Sequence, residues 1–153
     1  MTRLTLEDIL QKLEHGESLR QADLHGLDLA FSILEEVDLR EANLHQAQLQ
    51  GAILRGANLN GADLSQAEMD EAGLLDADLR DANLHQADLP EADLRGASVK
   101  GADLSSANLQ DALINIDQLH QASSLAGTTL PDGTKLSKRN WQAAFETWSR
   151  EQA

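Results

Sequence analysis

From residue 17 to residue 121 the chain repeats every five residues without a slip. Each unit reads Ala, then Asp or Asn, then Leu, then two variable residues, as in Ala22-Asp23-Leu24-His25-Gly26, Ala42-Asn43-Leu44-His45-Gln46 and Ala102-Asp103-Leu104-Ser105-Ser106. The central residue is Leu in nearly every unit, with Met69, Val99 and Ile114 as the exceptions. An internal period of this kind sets the architecture before any other feature of the sequence. A period of five matches neither the helix at 3.6 nor the strand at 2.0. Heptads are absent, which excludes a coiled coil, and leucine-rich and helical repeats have longer units. Within a unit the central residue and the one two before it are apolar and flank a single polar residue. That is a short extended piece with two side chains turned inward and one outward. The next two residues turn the chain, and four such sides close a square coil. Residues 39–58 closely match residues 79–98, an offset of two twenty-residue coils.

Composition narrows the function classes. There is no cysteine, which excludes disulfides, zinc–thiolate sites and thiol catalysis. Aromatic residues make up 3% and Tyr is missing, a poor supply for a compact globular core but sufficient for a narrow stacked one. The formal net charge is −14, and residues 17–121 carry all of it, because the two flanking segments cancel. A polyanion of this kind disfavours direct nucleic-acid binding and anionic membrane surfaces; a basic protein surface would be attracted. No apolar run is long enough to span a bilayer. Met1-Thr2-Arg3-Leu4 lacks the apolar stretch of a secretory signal, so the expected location is the cytoplasm.

The run of Ala-Asp/Asn-Leu units resembles the pentapeptide-repeat family over about two thirds of the chain. The resemblance implies an all-β solenoid, a right-handed quadrilateral β-helix of about five coils with Leu and Ala ladders inside, stacked at roughly 4.8 Å. Short members with an N-terminal helix and a closing Pro-Asp-Gly segment, here Pro131-Asp132-Gly133, are similar to regulators of cell differentiation in filamentous cyanobacteria. Other members bind DNA gyrase as DNA mimics and protect it from quinolones.

The ends of a stack need covering. Thr5 is placed to cap a helix over 6–14 with Leu6, Ile9, Leu10 and Leu13 on one face and Gly16 as its stop. Ser123-Ser124-Leu125 slips the register, and Ser137 is placed to cap a helix over 138–151. The organisation expected is one domain, with an N-terminal helical cap (1–16), the repeat (17–121) and a C-terminal turn and helix (122–153). Trp141, Phe145 and Trp148 form an apolar stripe on the last helix, either a cap on the final coil or a homodimer contact, since some family members pair through their C-terminal ends.

Unbroken register sorts the surface by side. The units centred on Leu29, Leu49, Met69, Leu89 and Leu109 hold Asp28, Glu68, Asp70, Glu71, Asp88, Glu91 and Asp111 and no base, which is half the net charge. Stacked like charges repel, so this side is a candidate acidic docking face. A second side alternates Asp23, Asn43, Asp63, Asn83 and Asp103, a pattern suited to amide–carboxylate hydrogen bonds. His25, His45 and His85 follow on that side with no third ligand of clear geometry, so no metal is expected. Arg20, Arg40, Arg80 and Lys100 sit beside Glu41 and Asp81 and are read as offsetting them. A third side breaks the pattern with outward Ile33 and Ile53, and with Leu113 in place of Asp or Asn. Leu75 and Ile116 extend this candidate apolar contact, unless the C-terminal segment covers it.

No nucleophile elbow, P-loop or HExxH helix is present, and the carboxylate pairs lie on convex walls, so neither an enzyme nor a cofactor is expected. Three functions remain. The first is a protein-interaction scaffold with an unidentified protein partner. The second is an acidic DNA mimic binding DNA gyrase or another type II topoisomerase. The third is a structural protein without a specific partner.

Overall fold

The computed structural model describes residues 3–153. As far as Leu113 its backbone bridges are parallel and join residues twenty apart: Asp23 to Asn43, Asp28 to Gln48, Ile33 to Ile53 and Asp38 to Asn58 open the four sides. The pairing continues in the same register to Asp93 and Leu113. Each side is so short that it pairs through one residue, the polar position of the unit, and no longer strand forms along it. The chain is a solenoid.

Three hydrogen bonds per side hold neighbouring coils. The central Leu amide donates to the next coil, as Leu44 N–H to the Asp63 carbonyl at 2.7 Å. The corner amide does the same, Gln46 N–H to Ser65 O at 3.0 Å, and Asn43 N–H donates back to Ala22 O at 2.9 Å. At each corner the Ala amide of the next unit donates to the preceding Leu carbonyl, Ala47 N–H to Leu44 O at 3.0 Å. The residue before that Ala takes positive φ, in Gln46 (56°), Glu71 (55°) and Gly51 (62°) alike. This backbone conformation is tolerated by Gly and by short polar residues.

The Asp or Asn of each unit has a local task. Its side-chain oxygen accepts the amide two residues on: Asp63 Oδ1 from Ser65 N at 3.0 Å, Asn83 Oδ1 from His85 N at 3.0 Å, Asp103 Oδ1 from Ser105 N at 2.9 Å. It thereby satisfies a corner N–H that no other coil reaches. The central residues from Leu19 to Leu109 and, from Ala42 to Ala112, the Ala ladder are buried, while the central Ile114 is partly buried. A small side chain at that position lets Leu from four sides fill one narrow axis. The first coil departs from the ladder with Leu27 and Val37, both partly buried against the core.

Helix α1 (Leu6–Glu14) starts at Thr5 with a reciprocal capping box. Thr5 Oγ1 accepts Asp8 N–H at 3.2 Å, and the Asp8 carboxylate accepts Thr5 N–H at 2.8 Å. Of its apolar face only Ile9 is fully buried; Leu13 is partly buried, while Leu6 and Leu10 stay exposed. Arg3 pairs with Asp23 and extends the first coil upward.

The stack also runs beyond residue 121. A short helix α2 (Ile116–Leu119) replaces one corner, so the next pairs, Asp103 to Ser124 and Asn108 to Thr129, are twenty-one residues apart. Leu119, Leu125 and Leu130 remain in the core. Gln118 replaces the backbone donor that Ala97 O lacks here: its amide donates to Ala97 O at 2.8 Å and also to Leu94 O at 2.7 Å. Thr128 takes an Ala position, fully buried, with its hydroxyl donating to Leu104 O at 2.7 Å.

Helix α3 (Trp141–Glu151) begins three residues later than expected. The Ser137 hydroxyl accepts Asn140 N–H at 2.9 Å, which closes a turn before the helix rather than the helix itself. Among the described residues no helix is long and apolar enough to cross a membrane.

Candidate functional site

The filled axis leaves hollows at the two ends, one lined by Arg3, Asp8, Lys12 and His15, another by Leu119, Trp141 and Phe145. The remaining candidates lie on the outer wall.

Ion pairing differs sharply between sides. Where Asp, Leu and Arg are consecutive, the Arg folds back on the Asp as a two-pronged fork. Arg40 Nε and Nη2 each reach Asp38 at 2.8 Å, Arg80 reaches Asp78 at 2.8 and 2.6 Å, and Arg95 reaches Asp93 at 2.8 and 2.7 Å. The guanidinium holds each of these carboxyls below its ordinary range, against the opposing effect of partial burial. Arg40 and Arg80 therefore serve an Asp of their own unit and not Glu41 and Asp81, because the fork geometry is met within the unit. Arg20 alone follows the sequence expectation, pairing with Glu41 at 2.9 Å.

The histidine side is fully engaged. His45 Nδ1 lies 2.8 Å from Ser65 Oγ, which donates to Asp63 Oδ1 at 2.6 Å; His85 Nδ1 lies 2.8 Å from Ser105 Oγ. Asn43 and Asn83 donate to Asp23 and Asp63 one coil earlier, at 3.1 and 3.2 Å. Among the described residues no group of three or more potential ligands could hold a metal ion.

The acidic side has no such partners. None of the ion pairs among the described residues involves Asp28, Glu68, Asp70, Glu71, Asp88, Glu91 or Asp111. Neutral amides reach three of them: the side chain of Gln50 donates to Glu68, that of Asn108 to Asp88 at 2.8 Å, and the Ala30 backbone N–H to Asp28 at 3.1 Å. Glu71, Glu91 and Asp111 occupy the same corner of three successive coils, all exposed. They form a column of like charge at the spacing of the stack, roughly 4.8 Å per step.

That corner borders the apolar side. Ile33 and Ile53, bridged to each other, are 70% and 42% exposed, and the C-terminal segment does not cover them. Leu113 is also exposed, but Gly73 and Asp93 separate it from Ile53. Leu75 is half-buried, as is Ile116, the first residue of α2. Sequence reasoning passed over Phe31, which is 77% exposed at the same corner position as Glu71 and Glu91. The signal was an aromatic residue in a column otherwise of Gly and acids.

The stripe of α3 faces its own chain. Phe145 and Trp148 are buried and stacked at 5.7 Å, and Trp148 Nε1 donates to Asp132 Oδ2 at 2.7 Å. Burial works against ionisation of Asp132, but the Trp148 and Thr134 N–H groups outweigh it and hold its pKa low. Trp141 is half-buried.

The pentapeptide-repeat family model matches eight copies over residues 18–56, 54–86 and 74–111, more than half of the chain. The chain belongs to the pentapeptide-repeat family. Among solved structures it resembles a pentapeptide-repeat protein of the Arabidopsis thaliana thylakoid lumen, at 31% identity over 82% of this chain and 90% of that one, with a TM-score of 0.56. Rfr23, from the cyanobacterium Cyanothece 51142, shares the fold at 24% identity over 82% of this chain and 99% of its own, with a TM-score of 0.57. QnrB1, a plasmid-mediated fluoroquinolone resistance protein, aligns at 19% identity over 86% and 85% of the two chains, and its TM-score of 0.33 carries no functional weight. No curated protein matches the sequence.

Proposed function

We propose that this pentapeptide-repeat protein is a non-catalytic scaffold, a right-handed coil of about five turns closed by α1 and α3, that docks a basic protein partner on its acidic side. The observation that supports this reading is the contrast between sides. Elsewhere on the wall, all three Asp-Leu-Arg units close a fork, at Asp38 with Arg40, Asp78 with Arg80 and Asp93 with Arg95. The acidic side keeps seven carboxylates without one cation. Holding that column together costs repulsion energy that a basic partner removes. A stiff backbone also loses little conformational entropy on binding.

The test is affinity capture from the native host at low salt and at about 0.5 M salt, where exposed charge–charge attraction is screened. Retention of a basic protein that salt releases is the expected result. Retention of nothing at low salt contradicts the reading.

The same column supports a second reading, an acidic DNA mimic that enters the DNA groove of DNA gyrase or another type II topoisomerase. Titrating the protein into a gyrase supercoiling assay, with and without a quinolone, separates the two. Inhibition or protection that disappears in the Asp70→Asn/Glu71→Gln/Asp88→Asn/Glu91→Gln variant identifies the mimic. An unaffected gyrase leaves the scaffold.

A further inference from the structure

Thirteen residues other than Gly take positive φ among the described residues, and twelve of them are Gln, Glu, Asp or Ser. The remaining one is Phe31, at φ 59°. A bulky aromatic residue in the left-handed region is strained by roughly 1–2 kcal/mol, and here its ring is also left in water. The ring lies along the corner over Gly51: a Cβ on Gly51 would stand 2.5 Å from Phe31 Cε1. One coil therefore carries the strain and the next leaves room for the ring. Local strain of this sort, with an exposed apolar group as its product, points to a binding role rather than a folding role.

Phe31, Ile33 and Ile53 make one exposed apolar cluster. In the coils of the cluster and the next one, on the same and adjoining columns, stand Asp28, Glu35, Glu36, Asp70 and Glu71, with Arg55 as the base; Arg95, two coils further along the Arg55 column, is held by Asp93. The corner below Gly51 continues as Glu71, Glu91 and Asp111. From Gly51 to Asp111 is three coil steps, about 14 Å at the β spacing. A second copy of this chain, at net charge −14, would bring an equally acidic rim against this one. A segment with apolar anchors followed by Lys or Arg matches both parts of the corner.

We infer that Phe31, Ile33 and Ile53 are the anchor site for a basic, amphipathic segment of a partner protein, which lays its apolar residues on the cluster and its bases along Glu71, Glu91 and Asp111. This rests on the scaffold reading and adds to it the chemistry of the partner.

The experiment uses the full chain and fluorescein-labelled synthetic peptides in an anisotropy titration at low salt. One peptide has a Leu cluster followed by Lys; a second keeps every Lys and replaces Leu with Ser. The protein is compared with Phe31→Asn/Ile33→Thr/Ile53→Thr and with Glu71→Gln/Glu91→Gln/Asp111→Asn, each checked for a cooperative melting transition no lower than that of the wild type. The Leu/Lys peptide should bind the wild type about tenfold tighter than the apolar variant, the scale of a lost aromatic anchor. The Ser/Lys peptide should bind both weakly and equally, and the acidic variant should lose both peptides. Equal binding of the Leu/Lys peptide to wild type and apolar variant overturns the anchor site while leaving an acidic docking face. No binding of either basic peptide tells against both readings. A light-scattering mass of a dimer that falls to a monomer in the apolar variant assigns the cluster to self-association and overturns the proposal.

Discussion

At the scale of single residues, the polar position of each unit does more than mark the outside of the solenoid. Where it is Asp or Asn its oxygen satisfies the corner amide, and in the Asp-Leu-Arg units it also receives a guanidinium fork. The fork sets an acid dependence. Asp38, Asp78 and Asp93 have lowered pKa values in the folded chain. A depressed carboxyl adds stability that is present above its unfolded pKa, near 3.9, and is lost as pH falls through the folded value. Replacing Arg40, Arg80 and Arg95 with Lys keeps the charge and removes the fork. Urea unfolding from pH 7 to pH 2 should show wild type ahead of this variant at neutral pH, with the gap closing below about pH 4; a gap independent of pH would exclude the forks as its source. Phe31→Asn, at an exposed left-handed position, should raise stability by about 0.5–1 kcal/mol in the same assay. A loss of more than about 1 kcal/mol would mean that the ring's contact with Gly51 outweighs the strain.

At the scale of elements, the sides and the axis were legible because one residue type recurs at each inward position. Ala62 and Ala82 are buried as the Ala ladder requires. Ala62→Leu should cost about 1–3 kcal/mol through overpacking, read as a fall in melting temperature; an unchanged transition would contradict the inward assignment. Helix α2 was not legible. Leu119 keeps its place in the five-residue count, so the sequence reads as one more side, while the Asn115–Gln118 capping box turns it into a helix. The start of α3 was missed because Ser137 looks like an N-cap and uses its hydroxyl in a preceding turn. Ile33 and Ile53 are legible as departures from Asp or Asn; Phe31 is not, because its exposure follows from the ring lying over Gly51 one coil on, a contact that the five-residue count does not show. The forks are not legible, because Arg40 and Arg80 each have one acid two residues before and another directly after, and only the backbone geometry selects between them. The α3 stripe packs into its own chain through Phe145 and Trp148. Trp148→Ala should therefore cost about 3 kcal/mol, with no change in the light-scattering mass; a change in mass at constant fold would place the stripe between two copies.

At the scale of the whole molecule, a ladder of main-chain hydrogen bonds, unbroken as far as α2, fixes the outward side chains on columns. The axis is filled, so what the protein presents to others is its wall, and the wall is uneven. Two sides pair or bridge most of their carboxylates, and the side of Ile33 and Ile53 pairs Asp93 but not Glu35, Glu36 or Asp76; the acidic side and its corner hold half the net charge with no base. The central claim is that the position of this charge, not its amount, recruits the partner. Two variants with equal net charge test it. One neutralises Asp70, Glu71, Asp88 and Glu91; the other neutralises the exposed Glu7, Glu14, Asp76 and Asp81. Both are used beside the wild type to capture proteins from the native host, with bound protein quantified by mass spectrometry. The account predicts that only the first variant loses the partner. Equal losses from the two variants, or none from the first, would contradict it.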